Sequence, residues 1–178
     1  RCQDLFYRYG SETVLTATKK LAAYSEQLMR AELAAILEGE YSAEEIIEDD
    51  GITDDPYAIR VAVIVKDGEI LVDYSRSDPQ ARGPINATFG VTASATYNAV
   101  LQVTGTHIPR NAGCYRPITI IAPPGSIVNV RYPGPSVGGN TETQPRIVGA
   151  VLRALAAAIP ERIMASEGAT SCNSYQGY

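Results

Sequence analysis

The chain predicts an α+β fold: an antiparallel sheet from two β-hairpins, with a long N-terminal helix and two further helices packed on it. Three observations carry that prediction. Apolar residues recur at helical spacing across residues 11–38, two pairs of β-branched runs are each joined by a short turn, and a helical segment rich in small residues follows each pair. Strand and helix signals do not alternate regularly enough for a parallel, doubly wound sheet.

The first helix opens at Ser11, a capping residue followed by Glu12, and its apolar series Val14, Leu15, Thr18, Leu21, Leu28, Met29, Leu33, Ile36 and Leu37 runs to Gly39. Lys19, Lys20, Glu26, Arg30 and Glu32 form its solvated face. Residues 40–56 read as a solvated acidic loop: Asp49, Asp50, Asp54 and Asp55 surround Gly51 but lack the alternating ligands and closing Glu of a calcium loop. Tyr57 to Val65 and Glu69 to Tyr74 then form a hairpin, with Asp67 and Gly68 supplying positive φ at the turn. Thr88 to Val103 is the second helix, close-packed through Ala93, Ala95 and Ala99. ITIIAP and IVNV, beginning at Ile118 and Ile127, read as the second hairpin around a PPGS turn. A loop rich in Gly and Pro from Arg131 leads into the last helix, Arg146 to Ile159, which Pro160 stops.

The 178 residues, 45% hydrophobic and 20% charged, suffice for one domain or a close pair. Charge and composition shift near residues 76–86, dividing a lobe of residues 1–78 from a motif-bearing lobe of residues 79–178. The net charge of −5 is uneven, at +1 over residues 1–37, −10 over 38–78 and +4 over 79–178. Three lysines and thinly spread arginines make no nucleic-acid groove, and no apolar run is long enough to cross a bilayer. The start at Arg1, with no signal pattern after it, marks the chain as a piece of something larger. Cys2, Cys114 and Cys172 are widely spaced without a CxxC, which suggests neither a disulfide framework nor a zinc site and points to a reducing, cytoplasmic setting.

Chemistry-bearing residues are sparse. His107 is the one histidine and sits in a Gly-Thr-His-Ile-Pro turn that suits a structural role, Cys114 reads as a buried structural thiol, and no cluster has metal-ligand spacing. Phosphate loops of the GxxxxGK[ST] type, GxGxxG turns and GxSxG elbows are absent from the sequence. Gly134, Gly138 and Gly139 precede a helix and read either as an anion-holding backbone or as turns with positive φ. Three polar clusters remain, at residues 79–86, 111–117 and 138–143. Within them Asn86, Asn140 and Thr143 are also natural caps, and Glu142 also suits a helix dipole.

Read in order, SDPQ, GPINA, IPRNAGCYRPITIIAPPGSIVNVRYPGPSVGGNTET and QPRIVGAVLRALAAAIPER, together with RYGSETV and AAYSEQLMRAELAAI in the front helix, resemble the hydantoinase B/oxoprolinase family over nearly the whole chain. The family's B-type subunits are several hundred residues long, so the chain corresponds to a middle segment. The resemblance implies an ATP-dependent hydrolase of the N-methylhydantoinase or 5-oxoprolinase kind, opening a hydantoin, lactam or 5-oxoproline, or a related ketone carboxylase. It implies an A-type ATPase partner using ATP and Mg, a small-molecule substrate, and a divalent metal held in the N-terminal part of the B-type subunit, with none bound by this chain. A third reading makes the segment a non-catalytic scaffold that joins the rest of the B-type subunit to the ATPase. Catalytic residues stay unassigned. Asn86, Asn140, Thr141 and Glu142 are the expected cleft-lining residues, with Arg116 and Arg146 as anchors for an anionic group. The chain departs from the family pattern at Pro145 and in its ending EGATSCNSYQGY, which points toward a carboxylase branch.

Overall fold

The computed structural model describes residues 1–165 and 168–171. Cys172 and the ending that follows it lie outside them. Among the described residues four α-helices, α1 (Cys2–Tyr9), α2 (Ser11–Ala34), α3 (Phe89–Val103) and α4 (Thr143–Leu155), accompany four strands, β1 (Gly39–Ile47), β2 (Tyr57–Lys66), β3 (Glu69–Asp73) and β4 (Ile118–Ile121). The class is α+β, as the sequence pattern predicts. The strands form one sheet in the order β1-β2-β3-β4, antiparallel except for the parallel pair β3-β4.

The β2-β3 hairpin forms where Asp67 and Gly68 predict it. Both have positive φ, 52° and 69°, and Lys66 pairs with Glu69 across them, so the turn's twist matches that of the strands. Along β2, Ile59, Val61, Val63 and Val65 are buried while Arg60, Ala62 and Ile64 are half-buried.

Two expected elements are corrected. Residues 40–47 are not loop but most of β1, paired with β2 from Gly39↔Val65 to Ile47↔Tyr57. Glu40, Ser42 and Glu44 are exposed on one side, so the strand's charge is that of a protected sheet edge, which composition alone made look like a loop. The acidic segment is not solvated throughout either, since Asp50 is 1% exposed. The second hairpin does not form. β4 joins β3 in parallel after a crossover through α3, while Ile127 and Val128 are fully buried and their neighbourhood is tied by Ile127 N–H to Asp78 (3.0 Å) and Ala87 N–H to Ile127 (2.7 Å). The β-branched run IVNV thus fills the core rather than extending the sheet.

α4 packs against β1, β2 and α3, and the C-terminal half of α2 brings Met29 and Leu33 into the same core as Val63, Val65, Ile70 and Val72. Tyr74 is fully buried, its hydroxyl paired with Thr96 Oγ1 at 2.8 Å, and burial pushes its phenol pKa upward. Cys114 is buried and donates to the Asn111 carbonyl. α1 buries none of its residues, and α2 buries none before Ser25. No described helix is long and apolar enough to cross a membrane.

Candidate functional site

α4 is apolar on the side facing the sheet, where Ile147, Val151 and Leu155 are fully buried, and carries Arg146 and Arg153 two turns apart on another. Along that second side runs a groove of about 560 Å³ bounded by α4, Asn98 and Gln102 of α3, Glu45 of β1 and, further along the chain, Ile163, Met164, Ala165, Ala169 and Ser171. Val148, Leu152, Ile163 and Met164 supply its apolar lining. The size is that of a small-molecule site.

The groove's charges are already matched. Glu45 lies 2.8 Å from the Arg153 guanidinium and 4.0 Å from that of Arg146, which also reaches Glu48 at 3.3 Å. Two cations facing two carboxylates leave a rim near neutrality. Asn98, Gln102 and Gln144 add amide groups that can donate and accept hydrogen bonds. An apolar floor with side-chain amides and a neutral rim suits a neutral, amide-bearing ligand better than an anion.

The six residues proposed from sequence are dispersed. Arg146 lines the groove. Thr141 and Glu142 stand beside its wall, where Ser171 N–H donates to the Thr141 carbonyl at 2.9 Å and the Thr170 hydroxyl donates to Glu142 at 2.8 Å. Asn140 is exposed on the preceding loop. Arg116 lies elsewhere, with a nitrogen 3.0 Å from Glu26 of α2, whose carboxyl is held below its usual range by hydrogen bonds from Arg116 first and Arg30 next. Asn86 is fully buried: its oxygen accepts from Ala81 N–H and its nitrogen donates to the carbonyls of Ala81, Gly83 and Pro135.

The alternative capping roles are also reassigned. Thr88 caps α3 by accepting from Val91 N–H, and α4 begins after Glu142 without a side-chain cap. The Thr143 hydroxyl donates instead to the Ile85 carbonyl. None of Gly134, Gly138 and Gly139 has positive φ. Gly139 is needed for close approach, because a Cβ there would lie 2.1 Å from the backbone carbonyl oxygen of Asn86.

Sequence reasoning missed Glu45, Asn98, Gln102 and Arg153. Asn98 and Gln102 at i, i+4 and Arg146 and Arg153 at i, i+7 were legible as helix faces, but Glu45 was hidden in the segment read as loop. The side chains here do not fit a metal centre. His107 has one acidic neighbour, Glu32 at 4.0 Å, and among the described residues no group of three or more His, Cys, Asp and Glu could hold an ion.

The hydantoinase B/oxoprolinase model matches residues 1–178. The chain belongs to the hydantoinase B/oxoprolinase family. The B-type subunit of a putative D-/L-hydantoinase from Pseudomonas sp. is 29% identical over 98% of this chain and 31% of its own length. The crystal structure of an ATP-dependent caprolactamase from Pseudomonas jessenii superposes with a TM-score of 0.83 at 30% identity, over 90% of this chain and 28% of that one. An acetone carboxylase structure shares the fold, with a TM-score of 0.78 at 13% identity over 90% of this chain and 23% of that one. The chain therefore spans less than a third of the length of these hydantoinase B/oxoprolinase relatives.

Proposed function

We propose that this chain is a segment of the B-type subunit of an ATP-dependent amidohydrolase that opens a cyclic amide, a hydantoin, lactam or 5-oxoproline, together with an A-type ATPase subunit. The observation that supports it most is the likeness to the ATP-dependent caprolactamase, at 30% identity and across 90% of this chain. The groove's neutral rim and amide side chains favour the same substrate class. In this reading the A-type subunit transfers the γ-phosphoryl group of Mg-bound ATP to the amide oxygen and releases ADP. Water then adds to the activated carbon, the ring C–N bond breaks as its nitrogen takes up a proton, and a second water hydrolyses the acyl phosphate so formed to a carboxylate and free phosphate. The role of this chain is to hold the ring. Arg146 and Gln144 line the groove, Thr141 and Glu142 fix its wall, and Asn140 leads the loop toward it. Asn86 holds the start of that loop through the Pro135 carbonyl, and Arg116 is paired with Glu26 away from the groove.

The carboxylase reading rests on fold likeness at 13% identity and is the weaker of the two. The test uses the full-length subunit with its ATPase partner and follows phosphate release over a panel of cyclic amides and ketones, with and without bicarbonate. Release stimulated by a cyclic amide and indifferent to bicarbonate is expected. Turnover that requires a ketone and bicarbonate overturns the hydrolase reading in favour of a carboxylase.

A further inference from the structure

The strip Gly83–Ala87 lies between two loops that are remote in sequence. On one side, the buried Asp50 carboxylate accepts from Ile52 N–H (2.9 Å), Thr53 N–H (2.7 Å), the Thr53 hydroxyl (3.2 Å), the Tyr57 hydroxyl (3.1 Å) and Gly83 N–H (2.7 Å). The backbones touch there as well, since a Cβ on Gly83 would fall 1.8 Å from the Asp50 carbonyl oxygen. On the other side, the same strip receives the loop at the head of α4. Gly138 N–H donates to the Pro84 carbonyl at 2.6 Å, the Thr143 hydroxyl donates to the Ile85 carbonyl, and Asn86 Nδ2 donates to the Pro135 carbonyl at 2.9 Å.

We infer that Asp50 is a positioning residue for the candidate site: it fixes Gly83, and through the strip it holds the loop 135–143 that precedes the groove-lining α4. The carboxylate binds through five donors, all from this chain, and lies outside the groove lining. An isolated turn would be served by the local donors Ile52 and Thr53; the bond to Gly83, 33 residues away, is what turns it into a brace. Loosening that brace lowers the fraction of molecules with the site assembled, and apparent affinity falls by the same fraction while the assembled site works at its normal rate.

The test replaces Asp50 with Asn in the full-length subunit assembled with its ATPase partner, with Asp49→Asn as the control on an exposed neighbour. Backbone hydrogen exchange is followed in peptides covering 79–87, 133–143 and 57–66. Faster exchange in the first two, with 57–66 unchanged, is expected for Asp50→Asn, and a smaller change of the same pattern for Tyr57→Phe, which removes one donor and keeps the carboxylate. KM for the cyclic amide should rise about tenfold with kcat held within about twofold. Faster exchange confined to 48–57, equal loosening of 57–66, or the same response in Asp49→Asn overturns the inference. The kinetic arm rests on the amide-opening reading and the exchange arm does not, so the expected exchange pattern in an enzyme that turns over no cyclic amide would sink that reading and leave the brace standing.

Discussion

Helices α2 and α4 both carry apolar residues at helical spacing, more sharply segregated in α4, yet meet opposite fates. In the 13 residues of α4, nine are buried, against β1, β2 and α3. In the 24 residues of α2, three are buried, Ser25, Met29 and Leu33, all in the C-terminal half. Before that point Leu15, Leu21 and Tyr24 stand about half exposed, as do Leu5 and Tyr9 of α1. An amphipathic pattern states that a face can be buried, and a neighbour decides whether it is. Helix α4 has its neighbours within this chain. The front of α2 meets α1 and, at Ala22, the backbone of Gly113, and neither covers its apolar stripe.

The comparison predicts graded responses to truncation and to pH. The largest belongs to the packed helix: Leu155→Ala, at a fully buried position, is expected to cost about 2–5 kcal/mol in denaturant unfolding. A loss below 1 kcal/mol would mean that the α4 face is looser than described. Next comes Asp50→Asn, whose effect depends on pH. Hydrogen bonds, that of the Thr53 amide first, hold the Asp50 carboxyl well below its ordinary value. Because the folded pKa is depressed, its stabilisation is complete above the unfolded value near ~4 and is lost as pH falls toward the folded one. The wild type should therefore lose stability more steeply than Asp50→Asn between about pH 4 and pH 2, and parallel acid-unfolding curves would contradict this.

Tyr74→Phe is expected to cost about 1 kcal/mol, because the buried Thr96 hydroxyl loses one partner while keeping its bond to the Thr92 carbonyl. Thermal unfolding checks it, and no change would indicate that the Tyr74 hydroxyl contributes nothing net. The smallest effect is expected on the front of α2, where Leu15→Ala and Leu21→Ala should each stay within about 0.5 kcal/mol in this chain. Repeated in the full-length subunit, the same pair reports on coverage: a loss of several-fold more would show that another part of the assembly packs on this arm.

Much of the fold was legible because local chemistry and tertiary structure agreed. The Asp67-Gly68 turn, the burial of alternate residues in β2, the stripes of α3 and α4 and the buried thiol of Cys114 all follow from residue type and spacing. The site was legible in part. Arg146, Thr141 and Glu142 gather at or beside the groove, whereas Arg116 is engaged with Glu26 on α2 and Asn86 is consumed in holding loops. The carboxylate that neutralises the groove's arginines was missed because Glu45 sits in an acidic strand whose partner is chosen by register with β2.

The sequence by itself determined that α2, α3, α4 and the first hairpin form, the family and the scarcity of metal ligands, because each depends on residue identity at short spacing. Only the tertiary structure decided that residues 40–47 pair as an edge strand, that IVNV fills the core while ITII joins β3 in parallel, and that Asp50 reaches Gly83. Those outcomes hinge on contacts between residues far apart in the chain, where the gain from burying Ile127 and Val128 or satisfying a carboxylate outweighs what the local pattern favours.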